Sequence, residues 1–127
     1  MNYIIDTHVL LWAMFDTDKI SESTMEILLD NRLYKFVCVV SIWEIVIKIR
    51  IGKLPLPEGV KGLLSRIDEL GYGIIGLERH HIEAYAALPL LHRDPFDGII
   101  VATALAEDMT IITVDENIQK YDVPWIW

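Results

Sequence analysis

Short, nearly continuous apolar runs alternate along this chain with longer stretches in which apolar positions recur every three or four residues. Tyr3–Ile5 is one such run, closed by Asp6, and Phe36–Val40, Gly73–Leu77 and Thr110–Val114 repeat the type. Their length and their content of Val and Ile predict buried strands. Helices are predicted between them at Thr7–Met14, Ser23–Asn31, Ser41–Ile51, Glu58–Leu70, Arg79–Leu88, Asp97–Glu107 and Glu116–Tyr121, with an extended segment at Val123–Trp127. The clearest stripe is Val60, Leu63, Leu64, Ile67 and Leu70, which Gly71 terminates. Ser23-x-x-Glu26 and Ser41-x-x-Glu44 both fit the capping box that opens a helix.

Strands alternating with helices, and strands apolar on both faces, imply a mainly parallel sheet covered on each side: an α/β fold in three α/β/α layers. With no repeat, linker or low-complexity stretch, residues 1–127 are expected to form a single domain. In such sheets, side chains that do chemistry gather beyond the carboxyl ends of the strands.

Composition narrows the partners. The chain has 19 acidic against 11 basic residues, a net charge of -8, which argues against a broad basic surface for nonspecific nucleic-acid binding. Hydrophobic residues make up 53%, which excludes disorder. The N-terminal run lacks a basic lead-in, and Phe36–Ile51 carries Glu44, Lys48 and Arg50, so neither a signal peptide nor a membrane span is expected. Cys38, alone and inside an apolar run, reads as a core thiol. A cytoplasmic protein is the expectation.

The strand ends carry acids. Asp6 follows the first strand, Glu44 lies just past the second, Asp115 follows the fourth, and Asp94 and Asp97 flank Pro95-Phe96 before an apolar helix. Each has an ordinary alternative: Asp6, Asp97 and Asp115 suit helix N-caps, and Glu44 suits a capping box or a pair with Lys48. Capping alone leaves unexplained why acids from remote segments concentrate at one sheet edge. Convergent carboxylates repel one another unless a cation lies among them, and hard oxygen donors suit Mg²⁺ or Mn²⁺. Such a centre supports phosphoryl hydrolysis, and two bound Mg²⁺ would bring the formal charge to roughly -4.

The segments Ile4-Ile5-Asp6-Thr7-His8, Ser41-Ile42-Trp43-Glu44-Ile45, His92-Arg93-Asp94-Pro95-Phe96-Asp97 and Ile112-Thr113-Val114-Asp115 resemble the acidic motifs of PIN domains, and more narrowly those of VapC-type toxins of type II toxin–antitoxin pairs. The resemblance implies a PIN-like sandwich, Mg²⁺ or Mn²⁺ dependence, endoribonuclease activity and a cognate antitoxin. It assigns Asp6, Glu44, Asp97 and Asp115 to the acidic quartet, with Asp94 auxiliary. In two places the chain departs from the family: Gly98 stands where arginine is frequent, and Val114 where a polar or basic residue often precedes the fourth acid.

Other residues have weaker claims. Thr7 is placed to orient Asp6 or a metal-bound water. Lys48, one turn beyond Glu44, and Arg93, in the acidic loop, are candidate RNA phosphate contacts, and His92 adjoins the same loop. His8, His80, His81 and His92 raise a metal-free imidazole mechanism, although His80 and His81 are expected at the surface. The four tryptophans suit packing in the core or an interface better than base stacking. The combined expectation is a metal-dependent endoribonuclease partnered by RNA and an antitoxin, and assembled as a homodimer. The alternatives are a receiver-like Mg²⁺-binding signalling domain, disfavoured by the absence of a lysine after Thr113-Val114-Asp115, and a catalytically inactive PIN-like binding module.

Overall fold

The computed structural model describes residues 2–127, so Met1 of the expected domain lies outside them. Five strands, β1 (Asn2–Ile5), β2 (Tyr34–Cys38), β3 (Gly73–Ile75), β4 (Thr110–Ile112) and β5 (Trp125–Ile126), form one sheet in the order β3-β2-β1-β4-β5. Every pairing is parallel. The chain steps outward from β1 through β2 to β3, then returns to the other side of β1 for β4 and β5. Strand order therefore reverses between β1 and β4, where the loops leaving the two strands diverge and open a crevice.

The helices are α1 (Thr7–Phe15), α2 (Glu22–Leu29), α3 (Val39–Arg50), α4 (Gly59–Leu70), α5 (Arg79–Ala86), α6 (Pro95–Glu107) and α7 (Glu116–Gln119), with a 3₁₀ turn at Thr17–Lys19. Successive strand residues point to opposite faces, so each strand feeds two cores. Tyr3, Ile5, Val37 and Ile112 pack with residues of α1, α2 and α4. Ile4, Cys38 and Ile111 pack with α6 and α7. Both faces are thereby covered, giving the expected three layers. Among the described residues, no helix is long and apolar enough to cross a membrane.

Several boundaries differ from the sequence expectation. Val39 and Val40 belong to α3, not β2, and the helix starts from Cys38 with no side-chain cap. Ser41 is consequently the third helical residue and not a cap, fully buried with its hydroxyl unpartnered among the described residues. The cap of α2 is Ser21, whose hydroxyl accepts from the Thr24 N–H at 3.3 Å, and not Ser23. Ile20 just before it and Met25 just after the first turn join the same core, the pattern of a hydrophobic staple. β3 and β4 each stop two residues short of expectation.

His81 also departs from the surface location expected of it. It is 1% exposed, and its Nδ1 accepts the Glu78 N–H at 3.0 Å, closing the capping box of α5. That bond leaves the proton on Nε2, which meets Glu107 Oε1 at 2.7 Å, as does Nε2 of the exposed His80. The pair ties α5 to the C-terminal end of α6. The tryptophans divide: Trp12 meets Trp127 edge to face at 5.8 Å, while Trp43 stays largely exposed beside Phe96.

Candidate active site

Asp6 leaves β1 at the crevice and begins α1. Its Oδ1 accepts the Val9 N–H at 2.8 Å, so the carboxylate caps the helix. Its Oδ2 accepts the hydroxyl of Thr113, which leaves β4 next door. The same Thr113 oxygen accepts the Asp115 N–H at 2.9 Å, and Asp115 Oδ1 caps α7 through the Asn117 N–H at 2.8 Å. One buried hydroxyl thus holds the acids of β1 and β4 in register. Thr113 was not singled out from the sequence. The available signal was a hydroxyl two residues before a strand-end acid, a spacing suited to an Asx- or ST-type turn.

Asp94, and not Asp97, caps α6: its Oδ1 accepts from the Phe96 N–H at 2.9 Å and the Asp97 N–H at 3.4 Å, with Pro95 at the first helical position. Asp97 therefore sits on the first turn with its carboxylate released from capping. It is 9% exposed, and among the described residues its side chain accepts no hydrogen bond. Burial raises its pKa, and repulsion from Asp94, Asp115, Glu44 and Asp6 adds to this, to about 7. Asp6 is likewise pushed up, chiefly by burial, against the opposing bonds from Thr113 and Val9.

Glu44 approaches from α3. Its Oε1 accepts the Thr7 hydroxyl at 2.9 Å, so Thr7 orients Glu44 and not the expected Asp6. Its Oε2 pairs with Lys48 at 3.4 Å, the helical neighbour contact that competes with a phosphate contact for that lysine. Arg93 is exposed on the approach to the acids. His92 Nε2 lies 3.3 Å from Asp97 Oδ2. His80 and His81, at the far end of α6, stand about 15 Å from Asp97 along the helix, so they do not join these groups. Gly98 faces the ring of Tyr85, and a β-carbon there would fall 2.5 Å from it. A cavity of about 460 Å³ lies elsewhere, between Phe15 at the far end of α1 and the turn over residues 54–59.

The quartet and Asp94 are thus near enough for all four neighbours to act on the Asp97 charge. Burial first, and like charges second, lift this carboxyl to about 7, so a cation bound beside it would be stabilised by the same groups. All-oxygen donors from four segments fit a hard divalent cation.

The PIN domain family model matches residues 3–124. The chain belongs to the PIN domain family. No curated protein sequence matches it. Among solved structures, the same fold recurs in VapBC2 from Rickettsia felis bound to a DNA fragment from their promoter, at TM-score 0.76 and 17% identity over 100% of this chain and 99% of that one. A toxin–antitoxin complex from Klebsiella pneumoniae aligns at TM-score 0.67 and 15% identity, over 99% and 97%. VapBC-1 from nontypeable Haemophilus influenzae aligns at 0.69 and 19%, over 99% and 97%. In this PIN domain the crevice between β1 and β4 is where the acids meet.

Proposed function

We propose that the chain is a Mg²⁺- or Mn²⁺-dependent endoribonuclease, the toxin of a type II toxin–antitoxin pair that acts in the cytoplasm. The observation that carries this reading is the placement of Asp97, buried on the first turn of α6 and freed from capping by Asp94, among four other acids drawn from separate segments of a PIN domain. In this reading Asp6, Asp97 and Asp115 hold one or two cations. Glu44 is a further ligand or the acceptor of a proton from the attacking water. A divalent cation supplies charge neutralisation at the phosphate and acidifies water.

The chain's own groups supply the placement. Thr113 fixes Asp6 and Asp115 relative to each other, and Thr7 keeps one Glu44 oxygen occupied so that the other is directed by Lys48. Water adds to phosphorus, the bond to the 3′-oxygen breaks, and the products are a 5′-phosphate and a 3′-hydroxyl. Arg93, and Lys48 when released from Glu44, are assigned to the RNA phosphates. The likeness to toxin–antitoxin complexes supports a protein antitoxin as partner. The apolar cleft beside Phe15 and the exposed Trp43 and Leu90 are surface for the antitoxin or a second copy of the chain to cover, in keeping with a homodimer.

The test is RNA cleavage by the purified protein with Mg²⁺, with Mn²⁺ and with EDTA, products being mapped at both ends. Metal-dependent cuts with 5′-phosphates are expected, lost in Asp6→Asn with the fold retained. Full activity in EDTA or in Asp6→Asn would overturn the proposal, and a folded, metal-binding but inactive wild-type chain would point to a binding module.

A further inference from the structure

The acids of the crevice do not stand alone: an imidazole lies among them. His92, Asp94 and Asp97 each offer one donor atom to a set whose members all lie within 4.8 Å of one another, and His92 Nε2 lies 3.3 Å from Asp97 Oδ2. We propose that His92 is a nitrogen ligand of the cation held at Asp97, so that the site takes Mn²⁺ in preference to Mg²⁺. This deepens the nuclease reading and rests on it.

Three observations support the assignment. The first is geometric. Ligand bonds of about 2.0–2.2 Å, meeting at right or tetrahedral angles, hold neighbouring donor atoms about 3 Å apart. The 3.3 Å between His92 Nε2 and Asp97 Oδ2, an ion-pair contact in the metal-free chain, is compatible with that edge, so a cation could take both atoms with little movement.

The second concerns what else could satisfy Asp97. Its side chain is 13% exposed, accepts no hydrogen bond among the described residues, and has His92 as its single ion-pair contact there. The nearby Lys48 is engaged with Glu44. The next residue, Gly98, offers no side chain, and the space is taken by the Tyr85 ring.

The third is how His92 is held. It lies two residues before the Asp94 cap, on a short turn closed by the Leu91 N–H to Pro89 carbonyl bond at 2.9 Å. Its side chain is 26% exposed, so the ring is largely packed in place beside the acids. By contrast, the other histidine cluster is unsuited to a metal. His81 Nδ1 must stay unprotonated to accept the Glu78 N–H, which forces the proton onto the Nε2 that a metal would need.

The chemical consequence is selectivity. Mg²⁺ demands oxygen ligands and dehydrates reluctantly, whereas Mn²⁺ lies on the transition-metal series that accepts imidazole beside carboxylate. One nitrogen donor in place of a water therefore favours Mn²⁺ over Mg²⁺.

The experiment uses the intact chain, stripped of metal and titrated with Mn²⁺ alone. Electron paramagnetic resonance follows loss of the free-ion signal, and pulsed electron spin-echo spectra of the bound ion report coupling to ¹⁴N. The wild type should give ¹⁴N coupling that disappears in His92→Ala and His92→Gln. Both variants should lose about tenfold in Mn²⁺ affinity, with Mg²⁺ affinity, read by competition, little changed. Bound Mn²⁺ without ¹⁴N coupling, or coupling that survives in His92→Ala, overturns the assignment while leaving the metal-dependent nuclease reading intact. A wild-type chain that binds Mg²⁺ but no Mn²⁺ overturns the assignment alone, and one that binds neither ion overturns both.

Discussion

Replacing Asp97 with asparagine isolates the electrostatic load that the crevice places on the fold. In the metal-free protein this carboxyl titrates at about 7, against 3.8 for an ordinary aspartate. Between those values the folded chain keeps a proton that the unfolded chain has released. Stability therefore declines as pH rises from about 4 to about 7, and is level above, where both states are ionised. About three units at roughly 1.4 kcal/mol each set an upper bound of ~4 kcal/mol. The side chain keeps 13% exposure, and water screening reduces the expected effect to ~1–2 kcal/mol.

An asparagine amide carries no charge at any pH, so Asp97→Asn should escape this decline. Urea unfolding in EDTA, followed by circular dichroism, should find the two chains nearly equal at pH 4.5 and the variant more stable by ~1–2 kcal/mol at pH 8. Added Mg²⁺ or Mn²⁺ should raise the wild-type midpoint and leave the variant's unmoved. A difference that does not grow between the two pH values, or a variant less stable than wild type at pH 8, refutes the reasoning.

Two further predictions concern the groups around the acids. Thr113→Val deletes the donor to Asp6 and the acceptor of the Asp115 N–H, and should cost ~1–3 kcal/mol in urea unfolding. Thr113→Ser should restore most of it, and an unchanged midpoint in the valine variant would contradict the bridging role. Gly98→Ala drives a β-carbon into the Tyr85 ring and should cost ~1–3 kcal/mol. In a Tyr85→Ala background that cost should largely vanish, whereas strictly additive effects in the double-mutant cycle would rule the contact out as its cause.

The layers and the sheet direction were legible because apolar runs on both strand faces leave few alternatives to a covered parallel sheet. The acids at the ends of β1 and β4 were legible for the same reason, since the strand ends located them. Boundaries were harder to read where one residue type serves two purposes. Val39 and Val40 read as strand by their branching, yet they open α3, where packing across the sheet outweighs propensity. In Asp94-Pro95-Phe96-Asp97 two aspartates compete for one helix start. Pro95, which favours the first helical position, was the discriminating signal, and it frees Asp97. The burial of His81 leaves no trace in periodicity, because it follows from one backbone N–H and one glutamate 26 positions away.

The doubled employment of Asp6 and Asp115 has an evolutionary corollary. Each commits Oδ1 to the start of a helix while facing the crevice. Asparagine caps a helix about as well as aspartate, and alanine does not. A descendant relieved of selection for chemistry would therefore shed the negative charge at these positions more readily than the oxygen acceptor. On the proposed nuclease reading, silent copies of this chain should carry asparagine at these positions and keep the architecture of the crevice.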